Sequence, residues 1–195
     1  MNIIYLLFHG LSPYSGISKK ILHQVKGFEA CGHRVSLCTY SIADNGHRVR
    51  MINNEIIEDY GTGKPAAAKR RVSYQCIYRY AITHQVELIY VRSFHNANPF
   101  TIRLFSKLRK AGIKIAMEIP TYPYDSEYAG FPLVTRLGIQ VDKVFRKTLA
   151  KHVNAIVTFS DYHCIFGQRT IQISNGVDFD SIPLKKTVSK NTSVI

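Results

Sequence analysis

Apolar residues along this chain come in short blocks that switch between two periods. Residues 2–8 (NIIYLLF) form a continuous apolar run with β-branched members, the pattern of a strand covered on both faces. Residues 18–31 place Ile21, Leu22, Val25 and Phe28 on one helical stripe, with Ser18 as N-cap and Gly32 as the terminating glycine. Residues 34–40 (RVSLCTY) return to alternation and predict a second strand. Two short strands follow near 48–52 and 55–59, then a helix over 65–85 with Pro65 in its first turn. Residues 87–92 (ELIYVR), 113–119 (IKIAMEI) and 153–159 (VNAIVTF) read as strands, separated by helices over 98–111 and 132–151. A short helix over 160–168 and a last strand at 170–173 complete the expected elements.

The alternation of strands and helices predicts an α/β fold: a doubly wound, mostly parallel Rossmann-like sheet with helices on both faces. In such sheets ligands bind beyond the carboxyl ends of the strands. That rule selects the loops at 9–17, 93–99, 119–131 and 160–167 as functional candidates. After residue 174 the chain turns polar, then apolar again at Val194 and Ile195. Residues 1–174 are expected to form the domain, and 175–195 a linker and the start of a second domain.

Charge narrows the partners. Lys and Arg number 26 against 13 Asp and Glu, a net charge of +13, which favours phosphates, nucleic acid or an acidic membrane surface. Arg103, Lys107 and Lys110 share one helical face opposite Phe100, Leu104 and Leu108. Lys143, Lys147 and Lys151 share another, with Arg146 adjacent, and Lys64, Lys69, Arg70, Arg71 and Arg79 form a third basic group. No helix-turn-helix, zinc-finger or RNP-like signature accompanies them, so nucleic acid is not expected. No run approaches the roughly 18 apolar residues of a membrane span, and the N-terminus lacks a signal-peptide pattern. The expected location is cytoplasmic, with peripheral contact to the inner face of the plasma membrane. Cys31, Cys38, Cys76 and Cys164 show no metal-binding spacing and read as free buried thiols; no metal site is expected.

Candidate chemistry lies in the loops. The first loop (HGLSPYSGIS) lacks the G-x-G-x-x-G of dinucleotide sites, and the second strand ends at Tyr40 and Ser41 rather than at a ribose-binding acid. Gly16, near a helix N-terminus, offers unobstructed amides to an anion. The segment EIPTYPYDSEY, residues 118–128, joins carboxylates to aromatic rings, a pairing that suits sugars. Glu118 is its best candidate for a catalytic role, with Tyr122, Tyr124 and Asp125 toward an acceptor. His9 and His95 follow predicted strands and are candidates for orienting an acceptor hydroxyl.

Three segments carry a family likeness. The first strand, the loop ending in Ser15-Gly16 and the helix running to Gly32-His33-Arg34-Val35 are similar to a "strand, glycine loop, helix, G-H-x-V" opening. Glu118 to Asp125 (EIPTYPYD) looks like an acceptor-side loop, and Ile173 to Asp178 (ISNGVD) like an "I-x-N-G-V-D" element. In this order they resemble the N-terminal domain of family 4 glycosyltransferases of the GT-B fold. The likeness implies transfer of a sugar, with retention and without a metal, from a nucleoside-diphosphate sugar to a glycan or lipid-linked acceptor in cell-surface polysaccharide or lipopolysaccharide synthesis. It implies Gly16 at the donor phosphates and a hinge at Asn175 and Gly176. The donor would be held mainly by a C-terminal domain, so no residue here inherits those contacts and this chain alone is not expected to turn over. Glu118 stands where other family members carry a histidine, and one glycine, Gly16, stands where many have two. The alternatives are a basic binding module for nucleic acid or anionic membrane, and an unrelated nucleotide-binding doubly wound domain.

Overall fold

The computed structural model describes residues 1–12, 14–92, 96–123 and 133–174. The elements are β1 (Asn2–Leu6), α1 (Gly16–Ala30), β2 (Arg34–Ile42), β3 (Arg48–Ile52), β4 (Glu55–Asp59), α2 (Gly63–Val72), α3 (Gln75–Thr83), β5 (Leu88–Arg92), α4 (Pro99–Lys110), β6 (Lys114–Ile119), α5 (Leu133–Ala150), β7 (Ala155–Thr158), β8 (Cys164–Ile165) and β9 (Gln168–Gln172). The strands form one sheet in the order β4-β3-β2-β1-β5-β6-β7-β9-β8. Strands β2, β1, β5, β6, β7 and β9 run parallel. Strand β3 opposes β2, β4 opposes β3 and β8 opposes β9.

Alternation along β1 builds a core on each face of the sheet. Ile3, Tyr5 and Leu7 point to one side, where Ile21 of α1 joins them with Val25 and Phe28 at the margin. Ile4 and Leu6 point to the other, among Ile77 of α3, Leu104, Phe105 and Leu108 of α4 and Leu149 of α5. Because β1 is buried on both faces, its sequence shows no polar alternation.

Local chemistry sets the helix ends. Ser15, not Ser18, is the N-cap of α1: its side chain accepts from the Ser18 amide. Ser18 is buried, and its hydroxyl accepts instead from Ser12 N at 2.9 Å. Gly32 and Gly112 leave α1 and α4 with φ of 79° and 82°, the left-handed geometry that glycine adopts without strain. Asn98 caps α4 in a reciprocal box with Thr101.

Four further expectations need correction. The helix expected over 65–85 is two helices, broken where Ser73 is extended. The phenol of Tyr60 donates to the Ser73 carbonyl at the break, and Tyr74 turns into the core. The short helix expected over 160–168 is a hairpin of β8 and β9, because Phe166 and Gly167 both take positive φ, 51° and 82°, as a two-residue turn requires. Cys38 and Cys76 are buried thiols, whereas Cys31 and Cys164 are exposed. Phe100, expected on the apolar face of α4, is exposed, because the buried face of that helix runs through Thr101, Leu104, Phe105 and Leu108.

Candidate functional site

At the carboxyl ends of β1, β5 and β6, a polar network lies beneath α1. Parallel register sets Tyr5 beside Tyr90 and Arg92 beside Glu118, all on the α1 face. Residues 16, 20 and 24 of α1 lie about a turn apart on one helical face above them. The carbonyl oxygen of Gln24 accepts from the Tyr5 phenol at 2.6 Å, and its amide donates to Glu118 Oε2 at 2.8 Å. The Tyr90 phenol donates to the same oxygen at 2.7 Å, and Arg92 Nη1 donates to Oε1. Glu118 is thus wholly buried with both oxygens engaged, and Arg92 is nearly so. Burial first, and the Glu118 carboxylate second, push the Tyr5 and Tyr90 phenols above their ordinary range, so both stay protonated donors.

Above this network the first helix opens to solvent. Gly16 is the first residue of α1 and is exposed, and a Cβ built there would meet nothing within 4 Å. One turn on, the Lys20 ammonium sits 3.5 Å from the Phe159 ring centroid at the end of β7. Desolvation lowers the Lys20 pKa, and the neighbouring Glu118 carboxylate opposes that shift. An anion approaching the N-terminus of α1 would meet free amides and this cation together.

The loop after β1 is pinned against β2. Tyr40 N donates to the His9 carbonyl at 3.3 Å, and a Cβ on Gly10 would come within 2.9 Å of the Tyr40 carbonyl oxygen. Glycine at position 10 is therefore set by this close approach. His9 is half-buried, with Nδ1 2.7 Å from the Gly10 carbonyl oxygen.

Tyr122 lies on the other side of the sheet from Glu118. Its amide donates to Ser160 Oγ at 2.9 Å, and its ring meets Tyr162 and Phe166 edge-on, with centroids 5.0 and 5.5 Å away. It packs against the core under α3, α4 and α5, so the structure does not bring Tyr122 onto the face of Glu118 and Gly16. His95, Tyr124, Asp125, Asn175 and Gly176 lie outside the described residues, as does the segment 175–195.

Sequence reading passed over Lys20, Gln24, Tyr90, Arg92 and Gly10. The first two share the helical phase of Gly16, and Arg92 ends its strand as Glu118 nearly ends the next, which were the available signals. Gly10 had none, since its role depends on a carbonyl thirty positions away. Among the described residues no group of three or more His, Cys, Asp or Glu is placed to hold a metal ion. Comparison with protein-family models, with curated proteins and with solved structures gives no match for this chain.

Proposed function

We propose that this chain is the acceptor-side domain of a nucleotide-sugar-dependent glycosyltransferase, a doubly wound Rossmann-like half of a GT-B fold. The observation that carries the reading is the position of Gly16. It begins α1, stands exposed just past the carboxyl end of the central strand β1, and leaves space where a side chain would be. The first of the segments similar to family 4 spans β1 and its loop, α1, the left-handed Gly32 and the start of β2, which supports the reading; the other two extend beyond the described residues.

In this reading the amides at Gly16 and the ammonium of Lys20 face the diphosphate of the donor, which a second domain holds from the other side. Charge grows on the departing diphosphate, so donors fixed in place act most strongly in the transition state. Glu118 works from beneath as a positioning residue: it holds Arg92, Tyr90 and Gln24, and through Gln24 the register of α1. Acceptor contacts fall in this reading to His9, His95, Tyr124 and Asp125, and Tyr122, packed against the core on the other side of the sheet, is left out of the Gly16 face. Asn175 and Gly176 form the hinge, and the reaction needs no metal or cofactor besides the nucleotide sugar.

A membrane-bound acceptor suits the surface of α5. Leu133, Leu137 and Val144 of that helix are 74%, 67% and 71% exposed, and Val141 adjoins them. At about 3.6 residues per turn they form one stripe, with Arg136, Lys143 and Lys147 along one flank. An apolar stripe edged by cations matches the interface of an anionic leaflet. No helix among the described residues is long and apolar enough to cross a membrane.

The test is incorporation of label from a panel of nucleoside-diphosphate sugars into the lipid and glycan fractions of cell extracts. Removing the gene should abolish incorporation from one donor, and restoring it should recover the signal. Unchanged incorporation from every donor would sink the proposal.

A further inference from the structure

Tyr40, at the end of β2, is surrounded by arginines. Arg48 Nη1 donates to its hydroxyl at 2.7 Å, the Arg70 guanidinium carbon lies 4.2 Å from its ring centroid, and Arg50 is its partner across the β2–β3 ladder. Arg71 follows Arg70 at the end of α2. Arg50 is 1% exposed and donates to the Leu7 carbonyl at the end of β1. None of these four guanidinium groups makes an ion pair with a carboxylate among the described residues. The Nε atoms of Arg50 and Arg70 are buried and unpartnered. The Tyr40 hydroxyl accepts from Arg48, and its own proton has no acceptor among the described residues.

A purely structural cluster would be expected to meet the desolvation of buried cations with carboxylates. Here Arg48 meets the hydroxyl, Arg70 the ring face and Arg50 the adjoining ladder, and no carboxylate among the described residues pairs with any of them: Glu58, opposite Arg50 in the β3–β4 ladder, is paired instead with Arg79 at 3.6 Å. Arg48 and Arg70 are half-buried, so one side of the cluster reaches solvent. Guanidinium forks match the oxygens of a phosphate, and so many charges call for a group bearing more than one negative charge. Burial lowers the Arg70 pKa, Tyr40 opposes the shift, and Arg71, Arg48 and Arg50 add to it, a repulsion that a bound anion would relieve.

We propose that Arg48, Arg70 and the Tyr40 hydroxyl bind a phosphate group, with Arg50 supplying a buried positive charge behind them. The site adjoins the loop after β1, since the Tyr40 amide holds the His9 carbonyl. If the proposed glycosyltransferase reading holds, the phosphate belongs to the acceptor; binding itself does not rest on that reading.

The probes are pyrophosphate and glycerol phosphate, titrated into the purified chain at constant ionic strength, with NMR of the arginine Nε–Hε groups and the melting temperature as readouts. Saturable binding that shifts the Arg48 and Arg70 signals is expected, weakened at least tenfold in Arg70→Gln and in Tyr40→Phe. Arg103→Gln, on the exposed side of α4, should leave it unchanged. Arg70→Lys serves where Arg70→Gln fails to fold, and should also weaken binding because it lacks the fork. Vesicles containing phosphatidic acid separate the sources: competition with pyrophosphate that depends on Arg70 assigns the phosphate to a lipid headgroup, and its absence assigns it to a soluble ligand. No saturable binding, or binding equal in the variants and the wild type, overturns the site. Phosphate binding without sugar transfer would leave the site standing and remove the enzyme; transfer without phosphate binding would do the reverse.

Discussion

Arg92 ends β5, Glu118 stands next to last in the adjacent parallel β6, and the two pair across the strands with their side chains 9% and 0% exposed. Removing one partner leaves a charge buried without its counterion, at a cost of about 3–5 kcal/mol. Glu118→Ala and Arg92→Ala should each lower stability by that order in urea denaturation. The double replacement Arg92→Met with Glu118→Leu should recover much of the loss, because burial of two apolar groups replaces the pair. A double variant no more stable than either single one would show that the network of Gln24, Tyr90 and Tyr5 needs the carboxylate itself.

Two glycines of the first loop should behave in opposite ways. Gly10→Ala drives a Cβ toward the Tyr40 carbonyl and is expected to cost about 1–3 kcal/mol. Gly16→Ala meets open space at a helix start, so the melting temperature should hold or rise. Equal destabilisation by both would contradict the assignment of packing to Gly10 and ligand access to Gly16.

How far the fold was legible follows from the range of the forces. Strands β3 and β4 and the sheet's parallel core were visible because buried strands carry unbroken apolar runs and exposed ladders alternate. The break at Ser73 was not, since it depends on Tyr60 reaching a carbonyl from another segment. The β8–β9 hairpin was missed because Phe166 is an unusual residue at positive φ, and only Gly167 gave a signal. At the site, Glu118 stood out at the carboxyl end of a predicted strand, and Gly16 by its place near a helix N-terminus. The arginines around Tyr40 did not, because Arg48 and Arg50 alternate within a strand and Arg70 belongs to a helix, and they meet only through the antiparallel pairing of β3 with β2 and the packing of α2 against β3.

Stability should fall in alkali. Burial, the largest cause, raises the Cys38 thiol from 9.0 to about 11, and also raises the Tyr5 and Tyr90 phenols above 10.0. Above the unfolded values the unfolded chain releases protons that the folded chain keeps, so the slope of stability against pH is negative. Unfolding free energy should be level below about pH 9, decline as Cys38 titrates in the unfolded chain, and decline more steeply past about pH 10. Tyr90→Phe should flatten the upper part of that curve. A curve independent of pH from 8 to 11 would contradict the buried thiol and phenols.

The α5 surface gives a separate expectation. The protein should sediment with phosphatidylglycerol-rich vesicles and not with pure phosphatidylcholine, and rising salt should weaken the association. Leu137→Glu should reduce binding at least tenfold without loss of fold, because that side chain is exposed. Retained binding in Leu137→Glu would place the contact elsewhere.

Lys20 should matter to chemistry more than to folding. Lys20→Met removes the cation beside Gly16 and is expected to lower kcat/KM for sugar transfer by about ten- to a hundredfold, on the scale of one lost charge-stabilising group. A change in KM for the acceptor alone would instead put Lys20 on the acceptor side.

The most direct test is transfer of labelled sugar from a nucleoside-diphosphate sugar by the purified protein, supplied with the donor-binding domain that the proposal requires, comparing the wild type with Gly16→Val. The expected result is transfer by the wild type and at least a tenfold lower kcat/KM in Gly16→Val at an unchanged melting temperature. Equal rates in the two proteins, or no transfer from any donor by the folded wild type, would contradict the assignment of Gly16 to the donor phosphates and of this domain to a glycosyltransferase.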